Sequence, residues 1–220
     1  MRVFSDRTDA GQRLGQALQR FHGTNPLVLA IPRGGVPVAA EIARALDGDL
    51  DIIVARKLGS PISAELAMGA VTADGVRYLN QAVIDDLQVT PQEIDAAAAR
   101  ECREAESRER KLRGGRPALP IEGRTVILVD DGLATGSTVI AAARSIRARD
   151  PARLIIAVPV GPEETCQAMR AEAGEVICLT IPEYFMAVGL HYRDFAPPTD
   201  EDVERILRDW QVPAETGASA

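Results

Sequence analysis

A chain of 220 residues with 46% hydrophobic residues can form one large domain or two small ones, and its core needs no metal or disulfide to hold it. The 25 Lys and Arg against 32 Asp and Glu give a formal charge of −7, which argues against a nucleic-acid coat; no apolar run reaches membrane-helix length, and the opening MRVFSDRTDAGQRL is too polar for a secretory signal. Cys102, Cys166 and Cys178 lack CxxC spacing and read as reduced thiols of a cytoplasmic protein, and His22 and His191 lie too far apart for a zinc site.

The spacing of Leu14, Ala17, Leu18 and Phe21 predicts an amphipathic helix over 5–21, broken at Asn25-Pro26. LVLAI (27–31) reads as a buried parallel strand, PRGG (32–35) as a turn, and VPVAAEIARAL (36–46) as a helix. DIIVA (51–55) is a second strand, and the Gly, Pro and Ser of 55–69 predict a long loop, with short antiparallel strands near 76–79. Thr90 and Glu93 form a capping box, with Pro91 at the first helical position, and open a charged helix over 90–113. Its Glu104–Arg108, Glu106–Arg110 and Glu109–Arg113 spacings suit ion pairs along one helix, and Ile94, Ala98, Cys102 and Ala105 make a thin apolar stripe. It reads as an exposed strut, the alternative being that its arginines face a phosphate.

TVILV (125–129), RLIIAVPV (153–160) and EVICLTI (175–181) are three more buried strands, alternating with helices over 136–148 and 164–173. A capped helix follows position 195, and 212–220 is expected to be a disordered tail. Apolar strands alternating with amphipathic helices indicate an α/β fold with a mainly parallel sheet, and no composition shift marks a domain boundary.

The strongest chemical signal is VILVDDGLATGST (126–138), a buried strand ending in two adjacent carboxylates, then a small-residue loop that opens a helix. Ligands of open α/β sheets bind at the carboxyl ends of strands. Residues 134–138 offer backbone N–H groups and hydroxyls at a helix N-terminus, which suits a phosphate. Ionised Asp130 and Asp131 can accept hydrogen bonds from adjacent sugar hydroxyls. A phosphate beside a diol describes a ribose 5-phosphate. The GK[ST] of a Walker A loop and the GxGxxG of a dinucleotide site are both missing.

This segment resembles the phosphoribosyl pyrophosphate (PRPP) signature of type I phosphoribosyltransferases. With FSDR, PRGGVPVA, RKLGSP, ELAMGAV and AVGxxYRDF, the chain resembles a group of bacterial phosphoribosyltransferases over about 3–210. The resemblance implies one phosphoribosyltransferase domain over 1–211. Its Rossmann-like core spans about 25–181 with a five-stranded sheet flanked by helices, the charged helix 90–113 is inserted, and a small hood covers 181–195. It implies that Ala134, Thr135, Gly136, Ser137 and Thr138 cradle the 5-phosphate, and that Asp130 and Asp131 hold the ribose. Arg33, Gly34, Gly35, Arg56 and Lys57 would take pyrophosphate, with Arg33, Lys57, Asp130 and Asp131 as the catalytic set and a cis peptide at Arg33–Gly34. The stretch that follows Gly59, to Gly69, would form a mobile lid. Phe185 and Val188 would border the acceptor, and Mg²⁺ would be held by Asp130, Asp131 and Asp194, directly or through water.

The implied activity is transfer of ribose 5-phosphate from PRPP to a purine-like base, in a cytoplasmic homodimer with small-molecule partners, no nucleic acid and no membrane. Ala134 stands where several purine enzymes carry an Asp, a departure shared with adenine-type enzymes. It leaves open a PRPP- or nucleotide-binding regulator without turnover, or a hydrolase with water as acceptor.

Overall fold

The computed structural model describes residues 4–210, without the side chains of positions 64 and 65, so the tail expected over 212–220 lies outside the described residues. Helix α1 (Arg7–Ala17) starts at Asp6, whose carboxylate accepts from the Asp9 amide, and a 3₁₀ turn leads to β1 (Leu27–Ala30). Helix α2 (Gly35–Leu46) and strand β2 (Asp49–Ile52) follow. Next come β3 (Ala55–Ser60), β4 (Ser63–Thr72), β5 (Arg77–Leu79), α3 (Gln81–Asp86) and α4 (Pro91–Leu112). Then β6 (Thr125–Val129), α5 (Ser137–Arg147), β7 (Arg153–Val160), α6 (Glu163–Met169), β8 (Glu175–Thr180) and α7 (Asp200–Asp209) close the order.

The five apolar strands form one parallel sheet in the order β2-β1-β6-β7-β8. Both faces are covered, which is why these strands are continuous apolar runs. Val28, Ile127 and Ile155 face the side packed by α1, α2 and α7, while Leu29, Leu128 and Ile156 face the α5 side. The chain leaves β1 toward β2 on one side and β6 toward β7 and β8 on the other. The gap between the carboxyl ends of β1 and β6 is therefore the switch point where such sheets bind ligands. It receives the turn 32–35 and the loop 130–136.

Three expectations need correction. Residues 55–69 are not a loop: β3 and β4 pair as an antiparallel hairpin, extended by β5 into a second, three-stranded sheet. Their Gly and Ser residues have low strand propensity, but Leu58, Met68 and Val71 become fully buried, and burial outweighs propensity. The non-proline cis peptide lies at Pro32–Arg33, one bond before the expected place. The charged helix α4 forms with its capping box, but it is more than a strut. Ala97 and Ala98 seal the second sheet together with Leu58, Met68 and Val71.

Of the three charge pairs expected along α4, Glu109–Arg113 forms, while Arg108 turns instead to Asp200 at the start of α7, 2.9 Å away. Arg113 is buried. Its guanidinium donates to Asp51 Oδ1 (2.8 Å), Glu109 Oε2 (2.7 Å) and the Ile52 carbonyl, and Glu109 Oε1 accepts from the Val54 amide. The end of α4 is thus pinned to the segment that leads into β3.

Candidate active site at the sheet switch point

Asp130 and Asp131 follow β6, and the turn after β1 lies directly on them. A Cβ at Gly34 would sit 1.9 Å from Asp131 Oδ2, and one at Gly35 would sit 2.7 Å from the Val129 carbonyl oxygen. Only a residue without a side chain lets the two loops meet at this distance. Asp130 Oδ1 accepts from the Asp131 amide (2.9 Å). Asp131 Oδ2 accepts from Arg7 Nε (2.8 Å), and Arg7 Nη2 lies 2.7 Å from the same oxygen in an ion pair. Arg7 also donates from Nη1 to the Ala196 carbonyl (2.9 Å) and lies over the Phe195 ring, 3.9 Å from its centroid. The buried Tyr192 hydroxyl donates to the Asp131 carbonyl (2.7 Å).

Burial, and then the neighbouring Asp131 charge, push the Asp130 carboxyl well above the usual carboxylate range. Burial also raises Asp131, against the opposing charge and hydrogen bonds of Arg7. Burial and the Asp131 charge together raise the Tyr192 phenol, so it remains a donor.

The loop from Ala134 to Thr138 runs into α5. Gly136 has a φ of +74°, and a Cβ there would meet Met169 Cε at 2.8 Å and Thr165 Cγ2 at 2.9 Å. Thr165 Oγ1 donates to the Ala134 carbonyl (2.9 Å), which fixes the loop from beneath. Thr135 Oγ1 and Ser137 Oγ lie 3.4 Å apart. The first-turn amides of α5 have no intrahelical acceptor, so this end can receive an anion.

Arg56, Lys57 and Thr138 line one cavity of about 430 Å³, so β3 and the phosphate loop share a space. Arg33 leans from the β1 turn toward Asp200, with its Nη1 3.6 Å from Oδ1. Arg108 and Lys111 also reach that carboxylate, each at 2.9 Å. A paired-carboxylate strand end, a glycine turn seated on it and an anion-ready helix start are therefore assembled around one switch point.

A phosphoribosyl transferase domain profile matches residues 9–193. The chain belongs to the phosphoribosyltransferase family. A Mycobacterium tuberculosis protein named "Putative phosphoribosyl transferase" is 42% identical over 222 residues, covering 99% of this chain and 49% of that protein. The chain thus spans about half the length of the curated relatives it matches first. The crystal structure of TT1426 from Thermus thermophilus superposes with a TM-score of 0.81 at 42% identity, covering 96% of this chain and 99% of that one. A hypoxanthine-guanine phosphoribosyltransferase of Streptococcus pneumoniae is 23% identical over 189 residues, covering 85% of this chain and 81% of that protein.

The remaining residues expected for the phosphoribosyltransferase site are placed unevenly. Val188 reaches the signature loop: a Cβ at Gly132 would lie 2.5 Å from its Cγ1. Phe185 is half-buried and stacks on His191 at 5.8 Å between centroids, so one of its faces is already covered. His191 is buried, its Nδ1 has no partner among the described residues, and burial lowers its pKa. Asp194 Oδ1 accepts from the Ala196 amide (2.9 Å) and shapes the turn there. Among the described residues no group of three or more His, Cys, Asp or Glu could hold a metal ion, so Asp194 does not complete an all-protein set with Asp130 and Asp131.

Arg7 was not legible as a site residue from motif spacing, being 124 positions from Asp131. Two signals do exist: Arg7 closes the FSDR segment of the resemblance, and it lies on a buried helix face. Arg7, Ala10, Gly11 and Leu14 fall at helical spacing and are all buried, so Arg7 is a charge on the apolar face of α1.

Proposed function

We propose that this phosphoribosyltransferase-family protein transfers ribose 5-phosphate from PRPP to a nitrogenous, purine-like base and releases pyrophosphate, as a cytoplasmic homodimer built on one domain. The apposition of Gly34 and Asp131 carries this reading. It seats the turn suited to pyrophosphate on the carboxylates suited to the ribose, and these are the two sides of the bond that must break.

The amides and hydroxyls of Ala134, Thr135, Gly136, Ser137 and Thr138 receive the 5-phosphate. Asp130 and Asp131 accept hydrogen bonds from the ribose hydroxyls and fix the ring beside the breaking C1–O bond. Arg33, the 33–35 backbone, Arg56 and Lys57 stabilise the charge that collects on the leaving pyrophosphate. Phe185 and Val188 border the acceptor. No side-chain nucleophile is needed; positioning and preorganised charge lower the barrier.

Mg²⁺ fits as an ion carried largely by the substrate. Asp130 Oδ2 and Asp131 Oδ1 have no protein partner among the described residues, and Mg²⁺ commonly pairs one or two carboxylates with substrate oxygens and waters. When bound, it would neutralise pyrophosphate charge.

The test is a titration of PRPP with Mg²⁺ into the wild type and the Asp130→Asn/Asp131→Asn double variant, with pyrophosphate release followed over a panel of bases. Binding lost in the variant, and release driven by one base, is the expected result. Binding with no release for any base would replace transfer with a regulatory role, and base-independent release would indicate hydrolysis. No binding by the wild type would refute the reading.

A further inference from the structure

Helix α4 passes the cavity that holds Lys57 and Thr138, and it brings two side chains there, Arg100 and Glu101. Glu101 Oε2 accepts from Arg56 Nε (2.7 Å) and Oε1 accepts from Arg100 Nε (3.1 Å). One carboxylate thus spans two guanidinium groups, one from the second sheet and one from α4. Each arginine is engaged through Nε, and among the described residues the Nη groups of both have no protein partner.

We propose that α4 completes the pyrophosphate end of the site, with Arg100 as a further phosphate-binding cation and Glu101 as the positioning residue that aims Arg56.

This inference rests on the PRPP reading above and extends it to a helix that the reading does not use. Three cations, Arg56, Lys57 and Arg100, line the cavity against the single charge of Glu101, so the cavity keeps a net positive charge that suits a phosphate chain. Glu101 is only 12% exposed, whereas Arg56 is 38% and Arg100 61% exposed. The carboxylate is therefore the fixed member, and the guanidinium groups are the ends that a ligand can reach. Burial by itself would raise the Glu101 carboxyl, but the hydrogen bonds from Arg56 and Arg100 outweigh it and hold the pKa below its ordinary value, so the bridge stays charged. A guanidinium held at Nε still presents a planar pair of donors to two phosphate oxygens. The buried Arg113 network fixes the end of α4 against the end of β2, and Glu109 ties it to Val54 just before β3, which keeps Arg100 in register with Lys57.

The experiment titrates inorganic pyrophosphate with Mg²⁺ into the wild type and four single variants, with thermal melts to confirm folding. Lys57→Ala and Arg100→Ala should each weaken binding about tenfold, the loss expected for a charge-assisted hydrogen bond. Arg110→Ala, further along the same helix, should bind as the wild type. Glu101→Gln separates positioning from plain charge. Removing a negative charge from a cationic cavity would tighten an anion if charge alone mattered, whereas loss of the Arg56 aim should weaken it severalfold. Wild-type affinity in Arg100→Ala, with Lys57→Ala weakened, would overturn the role of α4 while leaving the functional reading standing. Tighter binding by Glu101→Gln would overturn its positioning role. No binding of either pyrophosphate or PRPP by the wild type would overturn the functional reading and this inference with it.

Discussion

Gly34→Ala isolates the contact on which the site depends. The Gly34 backbone has φ −60° and ψ −36°, a helical conformation that alanine adopts without strain. On backbone grounds alone the substitution should stabilise the protein by about 0.4–1 kcal/mol. The structure predicts the opposite sign, because the new methyl would lie 1.9 Å from Asp131 Oδ2 and 2.5 Å from its Cγ. Either the turn or the carboxylate must retreat by about 1 Å, a displacement that commonly costs about 10²-fold in rate. Asp131 cannot swing aside freely, since Arg7 holds the same oxygen by a hydrogen bond from Nε and an ion-pair contact from Nη2. Disturbing that charged pair should cost about 2 kcal/mol, or roughly 4–8 °C in melting temperature for a chain of this size. The assay is a thermal melt of Gly34→Ala in two backgrounds, wild type and Asp131→Ala. In the second background the clashing atoms are gone, so the same substitution should become neutral or stabilising. A Gly34→Ala penalty that persists unchanged in the Asp131→Ala background would refute the steric account.

Arg7→Met should lower the urea midpoint by an amount equivalent to about 3–5 kcal/mol, since it leaves the half-buried Asp131 carboxylate without its cation. Arg7→Lys should recover little of this, because a lysine cannot reach both Asp131 and the Ala196 carbonyl with a planar fork; a wild-type midpoint in either variant would count against the pair. Asp74 accepts from Arg149 (2.8 Å), Ser145 (2.7 Å) and Thr72 (2.5 Å); burial alone would raise its pKa, but these partners hold it below the ordinary value. Its contribution is therefore full above the unfolded value of about 3.9 and lost as pH falls through the lower folded value. Asp74→Asn should be less stable than wild type at pH 7, with the gap narrowing below pH 4, and a gap that widened on acidification would contradict this sign.

Legibility followed the range over which each signal acts. The parallel strands were readable because burial on both faces demands uninterrupted apolar runs, and four of the five bounds, 27–30, 125–129, 153–160 and 175–180, fall within a residue of expectation. The signature loop was readable because strand end, carboxylates, glycine and helix start are contiguous in the chain. The β3–β4 hairpin was not, since its glycines and serines mimic a loop and its strands depend on Leu58 and Met68 meeting α4 across the second sheet. Arg7 was hidden for a related reason: its role is defined by Asp131 and Phe195, remote in sequence and adjacent only after folding. The charged helix showed its cap and stripe but not its partners, because Arg108 chose Asp200 over Glu104, a choice made by the docking of α7.

The three cations around Asp200 are not equivalent, and the difference bears on how readily the β1 turn can be recruited. Arg108 and Lys111 sit at 2.9 Å, whereas Arg33 stands off at 3.6 Å. If an incoming anion draws Arg33 away, Asp200 keeps two closer counter-ions and no carboxylate is stranded. Arg7 has no such freedom, being the one cation paired with Asp131 among the described residues. The molecule thus holds one arginine in a fixed mooring and another in a loose berth, and the loosely berthed one belongs to the turn where a leaving group's charge would collect.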